Sequence, residues 1–160
     1  MTQVRRQHRI AACGIFLALG LCAAPGAHAG SGTAAHRAAA GSQLDRSGHE
    51  RVGKASFYAR RFAGRKMANG KPMNPRRDIA ASKTLPLGTT AKVTNLETGR
   101  SAVVTIEDRG PYVRGRIVDL SPATAEKIGL TPEAGVATVA VAPIAVPLAD
   151  GSVKPGAGAQ

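Results

Sequence analysis

The chain has no tryptophan, two tyrosines and three phenylalanines, so aromatics make up only 3 % of its 160 residues. Any core must be built from Val, Ile, Leu and Ala, which are plentiful between Arg51 and Val141. Acid is also scarce: 10 Asp and Glu stand against 22 Lys and Arg, for a net charge of +12. That balance implies anionic partners, whether nucleic acid, anionic lipid or an acidic polymer. The two cysteines, Cys13 and Cys22, both lie near the N-terminus, so nothing downstream can form a disulfide, a Cys-based metal site or a Cys nucleophile. All four histidines (His8, His28, His36 and His49) precede the apolar patterning. A metal centre or a His-based triad inside that patterned region is therefore excluded, and no cofactor is expected.

Residues 1–29 have three parts. Met1 to Arg9 carries Arg5, Arg6 and Arg9 and no acid; Ile10 to Ala24 is apolar and small; Ala27-His28-Ala29 fits a small-x-small cleavage pattern. This is the layout of a secretory signal peptide, and the apolar run is short for a membrane span. A single N-terminal anchor helix is the competing reading. Cleavage after Ala29 lowers the net charge from +12 to +9. Lipidation at Cys22 is the lesser alternative, because Leu21 stands where a lipoprotein signal wants a small residue. The expectation is an exported protein of the periplasm or cell envelope, rather than an outer-membrane lipoprotein. Export argues against nucleic acid as the partner.

Residues 30–50, rich in Gly, Ala, Ser and His, read as a flexible leader, and residues 143–160 as a flexible Pro/Gly-rich tail. The folded domain is expected over residues 51–142. Strands are expected at Val52–Tyr58, Thr89–Leu96, Arg100–Asp108, Gly115–Ser121 and Gly135–Pro143, the second and third joined as a hairpin through Glu97-Thr98-Gly99. "SPATAEKIGL" predicts one short helix, with Ser121 as N-cap, Pro122 in the first turn and Gly129 as the stop. Gly53 to Lys83 is less regular and predicts a long basic loop over one face. Many short strands and one helix point to a small β-barrel. No broad apolar patch argues for a dimer, so a monomer is expected.

Among the few acids, Glu97, Glu126 and Glu133 read as solvated surface. Asp108 ends an apolar strand and precedes Arg109-Gly110-Pro111, a constrained turn that can hold a carboxylate at a cleft edge. Capping that turn or pairing with Arg109 is equally open from spacing alone. Asp119 reads as a hydrogen-bonding residue tying its strand to the helix start. The cations Arg60, Arg61, Arg65, Lys66, Lys71, Arg76 and Arg77 form either a solvated face or an attraction for an anionic polymer.

In order, the chain carries Ala55-Ser56-Phe57-Tyr58, Ala68-Asn69-Gly70, Thr84-Leu85-Pro86-Leu87-Gly88-Thr89, Val93-Thr94-Asn95-Leu96, Asp108-Arg109-Gly110-Pro111 and Arg116-Ile117-Val118-Asp119-Leu120-Ser121. This segment resembles the rare lipoprotein A family over about Gly53 to Val141. The resemblance implies a six-stranded double-psi β-barrel, like the expansin N-terminal domain. It also implies lytic transglycosylation of peptidoglycan glycan strands lacking stem peptides, leaving 1,6-anhydro-muramic ends. Asp108 matches the family's catalytic Asp; Tyr58, Asn69, Gly70 and Asp119 match positions that line or shape the groove, and Arg109 is grouped with them. A sugar-binding repeat domain, which many members carry C-terminally, is not expected here. The sequence leaves a partner in the cell-division machinery open.

Two positions depart from the family pattern. Lys71 stands where an acid commonly follows Asn-Gly, and Ser82 where a His commonly precedes the Lys-Thr-Leu-Pro run. Both are expected in the substrate groove. A lysine beside Asp108 would favour the carboxylate, the wrong direction for a proton donor, and Ser82 cannot shuttle protons near neutral pH. These departures keep a second reading open: a non-catalytic, expansin-like module that binds or loosens the wall.

Overall fold

The computed structural model describes residues 43–160. The expected signal peptide and most of the expected leader lie outside the described residues. Six strands close into a barrel: β1 (Arg51–Phe57), β2 (Ile79–Ser82), β3 (Thr90–Asn95), β4 (Ser101–Asp108), β5 (Arg116–Leu120) and β6 (Ala137–Pro147). Their order around the sheet is β1-β5-β2-β4-β3-β6, and pairing of β1 with β6 closes it. β1 runs parallel to β5 and β2 parallel to β4, while the remaining neighbours are antiparallel. A seventh strand, β7 (Val153–Pro155), lies outside the barrel on β6.

Period-two alternation sends β-branched and aliphatic side chains inward. Val93, Val104, Ile106, Val118, Leu120 and Val139 are fully or almost fully buried in one cluster. Ile128 and Leu130, at and beyond the end of α1 (Pro122–Lys127), plug the same core. Ser121 caps that helix as expected, its Oγ accepting from Thr124 N–H at 3.2 Å, with Pro122 at the start. Asn95 ties the β3–β4 hairpin to the helix end by donating from Nδ2 to the Ile128 carbonyl at 3.0 Å.

The expected mainly-β barrel with one helix is present, with two corrections. The basic loop is interrupted by β2, a central strand between β4 and β5. All four of its residues, Ile-Ala-Ala-Ser, are buried, so it shows no in-out alternation, and its two alanines carry little strand preference.

The second correction concerns the C-terminal tail. β6 continues through Pro143 to Pro147, and β7 folds back onto it, with Val146 opposite Lys154. Gly156 N–H donates to the Ile144 carbonyl at 3.1 Å and Ala157 N–H to the Gly48 carbonyl at 2.9 Å. The end of the expected leader is held in the same way: Asp45 N–H donates to the Thr84 carbonyl at 2.8 Å. The glycines misread as flexibility serve close approach. A Cβ on Gly156 would sit 2.3 Å from the Pro143 carbonyl oxygen, and one on Gly158 2.5 Å from that of Ala142.

Gly156→Ala should therefore force the tail off β6 and cost about 1–3 kcal/mol, the scale of overpacking a close contact. A urea-unfolding midpoint equal to the parent's would show that the tail contributes nothing.

Candidate active site

The geometry of the site begins with a slip in register. Along the parallel β2–β4 pair, Ile79 lies opposite Thr105 and Ala80 opposite Ile106, but Ala81 lies opposite Asp108. Glu107 is the extra residue of a β-bulge. Without it, Asp108 would share the inward face of Val104 and Ile106. The bulge reverses the alternation and turns Asp108 outward, beside Ala81. Ala81 pairs on its other side with Asp119 of β5, and Asp119 with Ser56 of β1. Ser56, Ala81, Asp108 and Asp119 thus line one outer cleft of about 570 Å³.

Asp108 is held at both oxygens. Its Oδ1 accepts from two backbone N–H groups, Ala68 at 2.9 Å and Arg109 at 2.8 Å. Its Oδ2 accepts from the Tyr58 hydroxyl at 2.9 Å. Burial raises the Tyr58 phenol well above its ordinary value, and the hydrogen bond to Asp108 and the charges of Asp108 and Asp119 add to the shift. Tyr58 therefore stays a neutral hydroxyl, able to donate or to accept. The turn after Asp108 passes through Gly110 at φ +118°, a conformation open to glycine, and a cis Gly110–Pro111 bond.

The cleft walls gather the scarce aromatics. Phe57, Tyr58, Phe62 and Tyr112, four of the chain's five aromatic residues, line it. Phe62 packs edge-on to Tyr58 at 5.8 Å between ring centroids, with the Arg61 and Arg65 guanidinium groups 5.1 and 5.8 Å from its own centroid. Tyr112 is 78 % exposed on the rim. Asp119 Oδ1 accepts from Ser56 Oγ at 2.8 Å and from Arg116 Nη2 at 2.5 Å.

Of the residues expected at the site, the structure brings Tyr58, Asp108, Arg109 and Asp119 to the cleft. Arg109 acts as a strut, its Nη1 donating to the carbonyls of Ser82 at 3.1 Å and Leu85 at 2.7 Å. Asp119 joins β5 to β1. The tie to the helix start comes from Asp78, which accepts from Thr124 Oγ1 at 3.1 Å and from Lys127 Nζ at 2.6 Å. Asn69, Gly70, Lys71 and Ser82 do not line the cleft. Asn69 spends its side chain on the loop, donating from Nδ2 to Glu107 at 3.1 Å and accepting from Lys71 N–H at 2.9 Å. Gly70 sits in the resulting turn at φ +85°, and Lys71 is exposed beyond it. Ser82 follows Ala81 along β2 and so faces away from the cleft; it is 2 % exposed, and its Oγ accepts from Leu85 N–H at 3.2 Å.

Phe62, Tyr112, Arg116 and Glu107 escaped the sequence reading. The first two had a signal, since any aromatic is notable in so aromatic-poor a chain. Among the described residues, no group of three or more His, Cys, Asp or Glu stands together as metal ligands do.

Residues 50–141 match the family described as lytic transglycolase. The chain belongs to this family. Its closed six-stranded barrel is a double-psi β-barrel. Curated relatives include the endolytic peptidoglycan transglycosylase RlpA of Pasteurella multocida, 54 % identical over 84 residues (52 % of this chain and 29 % of that protein). RlpA of Vibrio cholerae is 46 % identical over 99 residues, covering 62 % and 37 %. Each match takes in well under half of the relative's length. An expansin of Clavibacter michiganensis superposes with a TM-score of 0.47 at 22 % identity, covering 59 % of this chain and 50 % of that one.

Because folding raises the Tyr58 phenol above the ordinary tyrosine value of 10.0, the unfolded chain loses this proton first as pH rises. Stability linked to Tyr58 should then be full below pH 10.0 and fall above it. In a Tyr112→Phe variant, phenolate absorbance should appear only together with unfolding. Ionisation at the ordinary tyrosine value in the folded protein would show that Tyr58 is neither buried in the cleft nor held by Asp108.

Proposed function

We propose that this chain is an exported endolytic lytic transglycosylase. It cleaves peptidoglycan glycan strands lacking stem peptides and leaves 1,6-anhydro-muramic ends. The observation that carries the reading is the unequal environment of the two Asp108 oxygens. Oδ1 is fixed by two backbone N–H groups, which can only donate. Oδ2 faces a hydroxyl, which can reverse. The proton of the acid form belongs on Oδ2, where Tyr58 can turn from donor to acceptor while both backbone bonds to Oδ1 are kept.

The chemistry needs one such carboxyl. Asp108 gives its proton to the glycosidic oxygen as the bond from anomeric carbon to oxygen breaks. The 6-hydroxyl of the same muramic residue then closes on that carbon, and its proton passes to Asp108. No water is consumed and the carboxyl ends as it began. Asp119 gives its Oδ1 to Arg116 and Ser56, which leaves Oδ2 to accept from a sugar hydroxyl. The aromatic walls suit the apolar faces of sugar rings, and the rim cations suit the lactyl carboxylates of muramic acid. The names of the curated relatives point the same way.

A non-catalytic glycan-binding module is the second reading. Ser82 and Lys71 favour it, because they stand where the resembled family commonly has a His and an acid.

Digestion of peptidoglycan stripped of stem peptides tests the choice. The parent should release anhydro-ended sugars by mass spectrometry, and Asp108→Asn should lose at least about a hundredfold of that activity. Depletion of the parent from solution by the glycan, with no soluble product, would establish the binding module instead.

A further inference from the structure

Glu107 does more than occupy the bulge. Its side chain is 7 % exposed, on the face opposite the core, beneath the basic loop. One carboxylate oxygen accepts from Arg77 Nη2 at 2.8 Å; the other accepts from Arg77 Nη1 at 3.3 Å and from Asn69 Nδ2 at 3.1 Å. Its backbone carbonyl accepts from Asn69 N–H at 3.1 Å. Asn69 is therefore gripped twice by one residue, through backbone and side chain together. The residue before Asn69 is Ala68, whose N–H reaches Asp108 Oδ1.

We infer that Glu107 is a positioning residue for Asp108: with Arg77 as its counter-ion, it clamps Asn69 and so delivers the Ala68 N–H to Oδ1. The clamp and the acid are consecutive in the chain, so one bulge fixes both. Glu107 faces the loop, Asp108 faces the cleft, and the loop returns to the acid through Ala68. An ion pair at a protein surface contributes little by itself, but here the carboxylate is buried and bidentate while Arg77 is half exposed. Arg77 thereby neutralises a charge that would otherwise be buried unpaired, which leaves Glu107 free to hold Asn69. Loss of the clamp leaves Oδ1 with Arg109 N–H as its only donor, so the carboxyl keeps two of its three holds and is less closely fixed in the cleft.

The catalytic part of this inference rests on the transglycosylase reading, so the test has one arm that does not. Amide hydrogen exchange, read residue by residue by NMR, is compared in the full chain for the parent, Glu107→Ala and Asn69→Ala. Ala68 should exchange at least about tenfold faster in both variants, while Ile106 and Val93 in the barrel stay as in the parent. On denuded glycan, kcat should fall roughly tenfold to a hundredfold in both, with KM nearly unchanged, because the acid is misplaced rather than the sugar released. Asn69→Ala leaves the Glu107–Arg77 pair intact, so it decides the matter even if Glu107→Ala fails to fold. Unchanged Ala68 exchange in Asn69→Ala overturns the clamp, and a rise in KM at constant kcat assigns these residues to sugar binding. A parent that yields no anhydro ends defeats the transglycosylase reading alone, and the exchange rates still decide the clamp.

Discussion

The one-residue slip between β2 and β4 is the constraint on which the site depends. A β-strand offers its side chains to alternate faces, so a barrel strand can place only every second residue outside. Here Glu107 and Asp108 are adjacent, yet neither enters the core: Glu107 faces the basic loop and Asp108 the cleft. Only an extra residue in the ladder allows this, and the cost is a local break in pairing at the end of a strand, where the sheet can best absorb it. Asp108, Ala81, Asp119 and Ser56 then fall into a row across four strands, and a row across strands is the natural floor for an extended polymer.

Much of the architecture was legible because it obeys simple periodicities. β3 alternates throughout and β4 over most of its length, and the helix carries its capping serine, its proline and its glycine in order. The fully buried β2 carries no alternation to read. Asp108, which the structure places in the cleft, was singled out by its strand-end position and the rigid turn after it, together with the family resemblance. Ser82 and Lys71 were misplaced for a shared reason. Sequence spacing says which residues are near one another along the chain, but not which face of a strand or which side of a turn they occupy. Ala81 takes the cleft-facing place on β2, so Ser82 must turn away, and the turn that Asn69 organises carries Lys71 outward.

Glu107 illustrates a different limit. A buried carboxylate has no recognisable spacing with its partners: Arg77 lies 30 positions away and Asn69 38. Nothing in the composition separates Arg77, which is paired, from Arg76, its neighbour. The cleft aromatics are the opposite case: their scarcity was plain in a chain with no tryptophan, but only the fold shows four of the five on one face.

The hydrogen bond between Ala157 and Gly48 places the entrance and the exit of the barrel side by side. Tension pulling those two ends apart would load this bond, the Gly156–Ile144 bond and the Asp45–Thr84 bond first, and only then the sheet. The barrel hangs from its own two ends like a purse on a drawn string, so a load on the flanking chain is taken at the clasp rather than at the cleft.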